Sequence, residues 1–146
     1  MKKVILLLLT TVSFYGQILE RITPTNASNV YSFGDAISHF NNDFVIGGYD
    51  GILPTGNFRY YAFEKNINGF VQNQIISCPE IGQNFGTSLD IENDFLFIGS
   101  PNNSSLIQNG GAVYIYKKTA GIWNFLTKIQ PSNLSTDEQF GTSVHV

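Results

Sequence analysis

Hydrophobic residues along the chain fall into short runs that are separated by polar turns rich in Gly and Asn. Residues 95–99 form a continuous apolar run, which is typical of a strand that is buried on both faces. Residues 112–118 are rich in β-branched and aromatic side chains, which favour strands. Trp123, Phe125 and Ile129 fall at even spacing, as on one side of a half-exposed strand. Because no useful window has helical spacing, the pattern predicts an all-β protein.

The same pattern occurs more than once in the chain. Phe33-Gly34, Phe85-Gly86 and Phe140-Gly141 are spaced by 52 and 55 residues, and the match continues on both sides of each dipeptide. Chance does not explain this many ordered matches, so we expect the chain to be built from copies of one structural unit. The matched segments are residues 33–37 with 85–89 and 140–144, 44–48 with 96–100, 61–65 with 114–118, and Ile76 with Ile129.

Each copy predicts four short antiparallel strands, A to D. In the second copy, strand A covers residues 85–91, B 95–99, C 112–118 and D the segment that ends at Ile129, with tight turns at 93–94 and 119–121. Four strands in about 50 residues are typical of a β-propeller blade. The sequence therefore predicts one blade at 33–76, a second at 85–129 and the start of another at 140–146.

The expected ring is incomplete. Residues 18–24 are similar to 125–131, which predicts a leading outer strand D that strands A to C of a last blade would complete. Two full blades with partial strands at each end are fewer than the four to eight that close a propeller. We therefore expect residues 17–146 to be the front of a longer protein or a truncated product, with open blade edges available for self-association.

The first residues have the pattern of an export signal. Lys2 and Lys3 precede an eleven-residue, nearly continuous apolar run at 4–14, and small or turn-forming residues follow. This order predicts a secretory signal peptide at 1–16. Eleven residues fall well short of the roughly 20 that span a bilayer, so no membrane span is expected. We expect a protein that is secreted or located at the cell surface.

Composition narrows the function classes. Hydrophobic residues make up 42% of the chain and charged residues only 13%, which excludes an intrinsically disordered protein. A net charge of −3 provides no basic surface for nucleic acid. The single cysteine, Cys78, forms no internal disulfide.

Candidate chemistry is sparse. His39 and His145 lie in separate copies, without a partner motif or the spacing of a zinc site. Asp90, Glu92 and Asp94 alternate around a turn and are interpreted as solvated acids rather than an acid/base pair. The sequence therefore predicts no catalytic, cofactor-binding or metal-binding residue, and we expect a protein that is not an enzyme and has no cofactor.

The order of motifs in the second copy resembles the FG-GAP repeat of integrin α-subunits and of many secreted bacterial proteins. The motifs are Phe-Gly-x-Ser at 85–88, Ile-Gly-Ser-Pro at 98–101, Gly-Ala-Val-Tyr-Ile-Tyr at 111–116 and Gly-Ile-Trp at 121–123. The resemblance covers 18–146 and implies a seven-bladed propeller used mainly for extracellular recognition. Integrin-type copies carry an Asp-rich calcium loop between strands A and B. Residues 90–94 form a short hairpin without that ligand spacing, as in the short-hairpin bacterial subgroup, so no calcium binding is expected.

Blade topology places the long B–C and D–A loops on one face, and rigid scaffolds commonly carry binding residues on such loops. The leading hypothesis is a non-enzymatic recognition or adhesion module that binds a protein or glycan there. Two alternatives stay open: the polar loops only solvate the scaffold, or the chain is the non-catalytic N-terminal propeller part of a longer secreted hydrolase. The candidate ligand-face residues are Tyr49, Asp50, Asn102, Asn103, Asn109, Asp137 and Glu138.

Overall fold

The chain folds into two antiparallel β-sheets. A computed structural model describes residues 20–51, 57–80, 83, 85–86 and 88–146, so the predicted signal peptide at 1–16 lies outside the described residues. Within these described ranges, no helix has the length and hydrophobicity needed to cross a membrane. A short 3-10 helix at Ala27–Asn29 precedes the first strand.

The first sheet, sheet A, has five strands and is curled around its central strands. The strands are β1 (Val30–Tyr31), β2 (Ile37–Phe40), β3 (Asp43–Asp50), β4 (Asn57–Asn66) and β5 (Gly69–Ile76). The β3 strand pairs with β2 along one part of its edge and with β1 along the next, while β4 and β5 follow on its other side.

The second sheet, sheet B, has four strands in sequence order. Asn93 (φ 54°) allows the tight turn before its second strand, and Ala120 (φ 51°) with Gly121 (φ 81°) allows the turn before its fourth. These positions confirm the turns predicted at 93–94 and 119–121. The strands are β6 (Leu89–Glu92), β7 (Phe95–Ser100), β8 (Ala112–Thr119) and β9 (Ile122–Ile129).

The internal repeat is visible in the hydrogen bonds. The Gly34 N–H donates to the Gly47 carbonyl at 2.9 Å, and the Gly86 N–H donates to the Gly99 carbonyl at 2.8 Å. The last two strands of each sheet, β4 with β5 and β8 with β9, also share a register shift at matched positions, after Ala62 in sheet A and after Ile115 in sheet B. The two sheets are therefore copies of one unit in structure as well as in sequence.

A hydrophobic interface joins the two sheets, and the Phe of the second Phe-Gly dipeptide lies in its middle. The Phe85 ring centroid is 5.6 Å from that of Tyr60 in sheet A and 5.6 Å from that of Tyr114 in sheet B. Phe85 is 5% exposed, and Tyr60 and Tyr114 are completely buried. We call this contact the inter-sheet interface. Its other large, fully buried side chains are Val45, Leu96 and Ile98.

The opposite side of sheet A, its outer face, holds a second cluster. Phe33 lies on it, with its ring centroid 5.7 Å from Tyr61 and 6.2 Å from Phe63. Ile22 and Val30 also pack against this cluster. The matched distances from Phe85 to Tyr114 and Tyr116 are 5.6 and 6.4 Å. The first two Phe-Gly dipeptides thus each place their ring on the third predicted strand of their own copy.

Polar contacts between the two sheets join matching strands of the two copies, β2 with β6 and β5 with β9. The Ser38 hydroxyl donates to Asp90 Oδ1 at 2.9 Å, which links β2 to β6. Gln74 exchanges two hydrogen bonds with the Trp123 backbone, at 2.9 and 2.8 Å, which links β5 to β9. Lys118 also forms an ion pair with Asp43 across the interface.

These observations confirm the all-β class and are consistent with an incomplete β-propeller-like fold, built from the five-stranded sheet A and the four-stranded sheet B. Several strand bounds differ from the prediction. The strand predicted at 85–91 is found at Leu89–Glu92, because Phe85 turns into the inter-sheet interface. Residues 140–146 contain only an isolated bridge between Phe140 and Gly111, since no second strand flanks them. Of the predicted leading strand at 18–24, the described residues 20–24 belong to neither sheet.

Candidate functional site

The seven candidate residues lie at one end of the two sheets, which we call the loop end. It is the end where β3 and β7 finish and where β4 and β8 begin. Tyr49 and Asp50 were expected in a loop, but they extend β3, where they pair with Phe58 and Asn57 of β4. The others lie in the loop between β7 and β8 or in the segment that follows β9: Asn102, Asn103, Asn109, Asp137 and Glu138.

The Asn103 side chain is buried beneath the loop and does not face solvent. It is completely buried, and its amide Nδ2 donates to the Tyr114 hydroxyl at 2.7 Å and to Glu80 Oε2 at 3.3 Å. Its Oδ1 accepts hydrogen bonds from the Ser105 N–H at 3.1 Å and the Ser105 hydroxyl at 2.7 Å. Asn103, which was predicted at the ligand face, thus holds the loop to the sheet through its buried side chain.

A carboxylate continues this network. The Tyr114 hydroxyl donates to Glu80 Oε2 at 2.9 Å, and Lys128 Nζ forms an ion pair with Glu80 Oε1 at 2.6 Å. Burial raises the pKa of Glu80, but the contacts from Lys128, Tyr114 and Asn103 outweigh burial, so the pKa is lowered from its ordinary value. Glu80 is thus a charged acceptor that ties the loop after β5 to β8 and β9. We call Glu80, Asn103, Ser105, Tyr114 and Lys128 the loop latch.

The tyrosine of the latch stays protonated. Burial is the largest cause that raises the pKa of Tyr114, and the nearby Cys78 and Glu80 raise it further. Burial likewise raises the pKa of the Cys78 thiol. Neither group is therefore suited to act as a base or an ionised nucleophile at neutral pH. The latch is an arrangement for holding loops rather than for proton transfer.

A second contact joins the loop between β7 and β8 to the segment that follows β9. Asn109 Nδ2 donates to Asp137 Oδ1 at 2.8 Å, and the Gln139 N–H donates to the Asn109 carbonyl at 2.9 Å. Asn109, Asp137 and Gln139 all have positive φ values, of 47°, 62° and 55°. These residues form the second connection of the loop end, and here the structure brings together two of the predicted site residues.

Three predicted residues are exposed at the loop end. Asn102, Asp137 and Glu138 are solvent-exposed. The Glu138 carboxylate accepts a hydrogen bond from the Ser135 N–H at 2.6 Å, which fixes its orientation. The arrangement offers amide and carboxylate oxygens to solvent, with the Asn102 loop held by the latch and the Asp137 segment held by Asn109.

Asp50 is engaged within sheet A. Its carboxylate forms an ion pair with Arg59 of β4 at 2.9 Å. Burial raises the pKa of the neighbouring Tyr61 hydroxyl, and the Asp50 charge raises it further. Asp50 and its neighbour Tyr49 are both half-buried. The two residues therefore offer less free surface than the exposed residues of sheet B.

The candidate chemical residues are dispersed. His39 stacks on Phe44 with ring centroids 5.0 Å apart, His145 contacts Asp90 at 2.9 Å, and Cys78 is half-buried next to the latch. Across the described part of the chain, no group of three or more His, Cys, Asp and Glu side chains is placed to hold a metal ion.

A cavity of about 310 Å³ lies between the N-terminal segment and the outer face of sheet A. Its lining is mixed, with one cationic side chain among apolar and hydroxyl groups. The lining residues are Arg21, Ile22, Thr23, Pro24, Val30 and Phe33.

Sequence reasoning identified the loop end but missed most of the latch. Glu80 and Lys128 carry no motif, and only their contact in three dimensions assigns them a role. The repeat aligns Tyr114 with Tyr61 as a strand residue. This alignment does not predict that the Tyr114 hydroxyl accepts a hydrogen bond from Asn103 in the loop. Comparisons with protein-family models, curated proteins and solved structures found no match.

Proposed function

We propose that this protein is a non-enzymatic recognition or adhesion module of the FG-GAP type, exported to the cell surface or the extracellular space. Its ligand is a protein or glycan that contacts the loop end. The export signal, the family and self-association through open sheet edges belong to the same proposal, which the sequence pattern at 1–16 and the four-stranded repeat support.

The loop latch is the observation that carries this proposal. A completely buried Asn103 and the Glu80–Lys128 ion pair hold two loops at the same end of sheet B. Ordering a loop at the moment of binding costs conformational entropy, and a loop that is already held avoids much of that cost. Fixed loops on a rigid β-scaffold are a common arrangement for binding surfaces.

The exposed groups suit hydrogen-bonding ligands. Asn102 offers an amide donor and acceptor, and Asp137 and Glu138 offer carboxylate acceptors. Sugar hydroxyls and the N–H groups of peptides or cationic side chains are the groups that such acceptors bind. The same end thus supports the two ligand classes in the proposal, protein and glycan.

The test is binding of the purified protein to a glycan array and to intact cells, with a variant of the loop end. The variant combines Asn102→Ala, Asp137→Asn and Glu138→Gln. Asparagine is chosen to replace Asp137 because it tolerates the positive φ of that position. We expect at least about a tenfold loss of affinity, since each lost charge-assisted hydrogen bond is worth about 1.5–3 kcal/mol.

The matched control changes acids at the opposite end of sheet B. Glu92→Gln and Asp94→Asn alter exposed side chains around the β6–β7 turn and leave the loop end intact. The control should bind like the unmodified protein. Equal loss in both variants, or unchanged binding of the loop-end variant, would contradict recognition at the loop end.

A further inference from the structure

The exposed faces of the two sheets are repeat equivalents of the faces that pack together inside the molecule. The inter-sheet interface joins one face of sheet A, with Val45 and Ile76, to one face of sheet B, with Leu96 and Trp123. The repeat aligns residues 44–48 with 96–100 and Ile76 with Ile129. The outside of sheet B therefore carries a second version of the half that sheet A contributes, and the outside of sheet A carries a second version of the half that sheet B contributes.

The side of sheet B that points away from sheet A is called its open face. Ile129 lies there, paired with Val113, and it is 47% exposed. Its repeat equivalent Ile76 is 2% exposed in the inter-sheet interface. Phe97 is half-buried on the open face, while its equivalent Val45 is completely buried. The open face thus repeats a packing face, and no sheet within the described residues covers it.

The outer face of sheet A shows the complementary difference. Ile37 is 58% exposed, whereas its equivalent Leu89 is 9% exposed. Phe70 is half-buried, whereas Trp123, at the corresponding position next to the turn of sheet B, is 3% exposed. This face therefore repeats the half of the interface that sheet B contributes inside the molecule.

A hydrogen bond from a backbone N–H of one copy to a side chain of the preceding copy is repeated as well. The Ile91 N–H donates to the Ser38 hydroxyl at 3.2 Å, which connects the second copy to the first. In the third copy, the Val146 N–H donates to Asp90 Oδ2 at 3.0 Å. Ile91 and Val146 occupy equivalent positions, as do Ser38 and Asp90. Residues 140–146 are thus held on sheet B in the way that β6 is held on sheet A.

We propose that the open face of sheet B docks onto the outer face of sheet A of a second copy of this chain, head to tail. The occupant is a second copy because each chain presents both halves of an interface that already forms within it. Such a contact is heterologous, so it continues into longer assemblies unless the rotation closes a ring. The proposal rests on the packing of the sheets and is independent of ligand binding at the loop end.

Two segments already lie on these faces and would be exchanged on docking. Ile22 packs on the outer face of sheet A, where its aligned position in the repeat is that of Ile76 and Ile129. Residues 140–146 lie against β6, where β2 of a neighbouring copy would lie. Docking replaces each segment with its equivalent from the neighbour, as in strand exchange between protomers.

The experiment measures the mass of the purified chain by light scattering as its concentration is raised. One variant carries Ile129→Lys on the open face of sheet B, and a second carries Ile37→Lys on the outer face of sheet A. The control is Ile67→Lys, at a completely exposed position in the β4–β5 turn that belongs to neither face. Fluorescence of Trp123, the single tryptophan, shows whether each variant is folded.

We expect the unmodified protein and the Ile67→Lys control to grow beyond a dimer with rising concentration. Each single-face variant should stay a monomer on its own. An equimolar mixture of Ile129→Lys and Ile37→Lys should form a heterodimer of twice the monomer mass that grows no further, because each variant keeps one intact half.

Other results would overturn the proposal. An unmodified protein that stays monomeric at every concentration shows that the faces do not dock. Self-association of either folded single-face variant shows that like faces pair with each other, which contradicts head-to-tail docking. A mixture of folded variants that stays monomeric shows that the two faces are not complementary. If a Lys variant loses the buried Trp123 emission, Ile129→Gln and Ile37→Gln replace the pair and the same outcomes apply.

Discussion

Replacing Asn103 with Ala tests the role of the loop latch. The change removes the amide that donates to the Tyr114 hydroxyl at 2.7 Å and the oxygen that accepts from the Ser105 hydroxyl at 2.7 Å. Tyr114 keeps Glu80 as an acceptor at 2.9 Å, so its hydroxyl is not left without a partner. The Ser105 N–H loses its partner at 3.1 Å, and the side chain of Gln130 loses a contact at 3.4 Å.

The expected cost follows from these contacts. A typical intramolecular hydrogen bond contributes about 0.5–1.5 kcal/mol, and a buried polar group left without a partner costs about 1–3 kcal/mol. Two strong hydrogen bonds are lost at a completely buried site, so we expect the free energy of unfolding to fall by about 2–3 kcal/mol. The neighbouring Asn102→Ala is the matched control, because that side chain is exposed and should change stability by less than about 0.5 kcal/mol.

Urea unfolding monitored by the fluorescence of Trp123 measures both variants. Trp123 is the single tryptophan, it is 3% exposed, and it lies in the inter-sheet interface, so unfolding exposes it to water. A shift of the urea midpoint at constant slope reports a change in stability rather than in the unfolded state. If Asn103→Ala and Asn102→Ala have the same midpoint, the buried amide does not hold the loop and the latch has been misassigned.

Three further outcomes are expected. Phe85→Ala should lower the free energy of unfolding by about 3–5 kcal/mol in urea unfolding, because it empties the centre of the inter-sheet interface. Phe125 is 47% exposed, so Phe125→Ala should lower it much less. Equal losses in the two variants would argue against that packing. The pKa of Glu80 is lowered in the folded state, so its contribution to stability is present above the unfolded pKa of about 4.3 and is lost as the pH falls through the folded pKa. Glu80→Gln should therefore be less stable than the unmodified protein at neutral pH, and the difference should shrink in acid unfolding curves; a constant difference would show that the charge is not involved. Thermal unfolding should have the same midpoint with excess calcium and with a chelator, since the short hairpin at 90–94 lacks a calcium-ligand spacing, and a rise of several degrees with calcium would refute this.

The repeat allowed the architecture to be predicted from the sequence alone. Local spacing determines strands and tight turns, because alternation of side chains and residues that accept positive φ act within a few positions. The matched dipeptides at Phe33 and Phe85 therefore predicted two similar four-stranded units, and the turn at Asn93 was found where the pattern indicated. The antiparallel order also predicted that long loops gather at one end.

Tertiary structure decided what those loops do and where each side chain lies. Asn103 belongs to a polar loop by its sequence, yet it is completely buried because Tyr114, 11 residues away, supplies a partner for its amide. Glu80 acquires its role from Tyr114, which lies 34 residues further along the chain. A polar group is buried only where it finds hydrogen-bond partners, and these partners come together only after the sheets have packed. The pattern of hydrophobic residues along the chain does not predict which partners these are. The sequence by itself thus determined the repeating strands, while the packing of one sheet on the other determined the latch and the exposed residues around it.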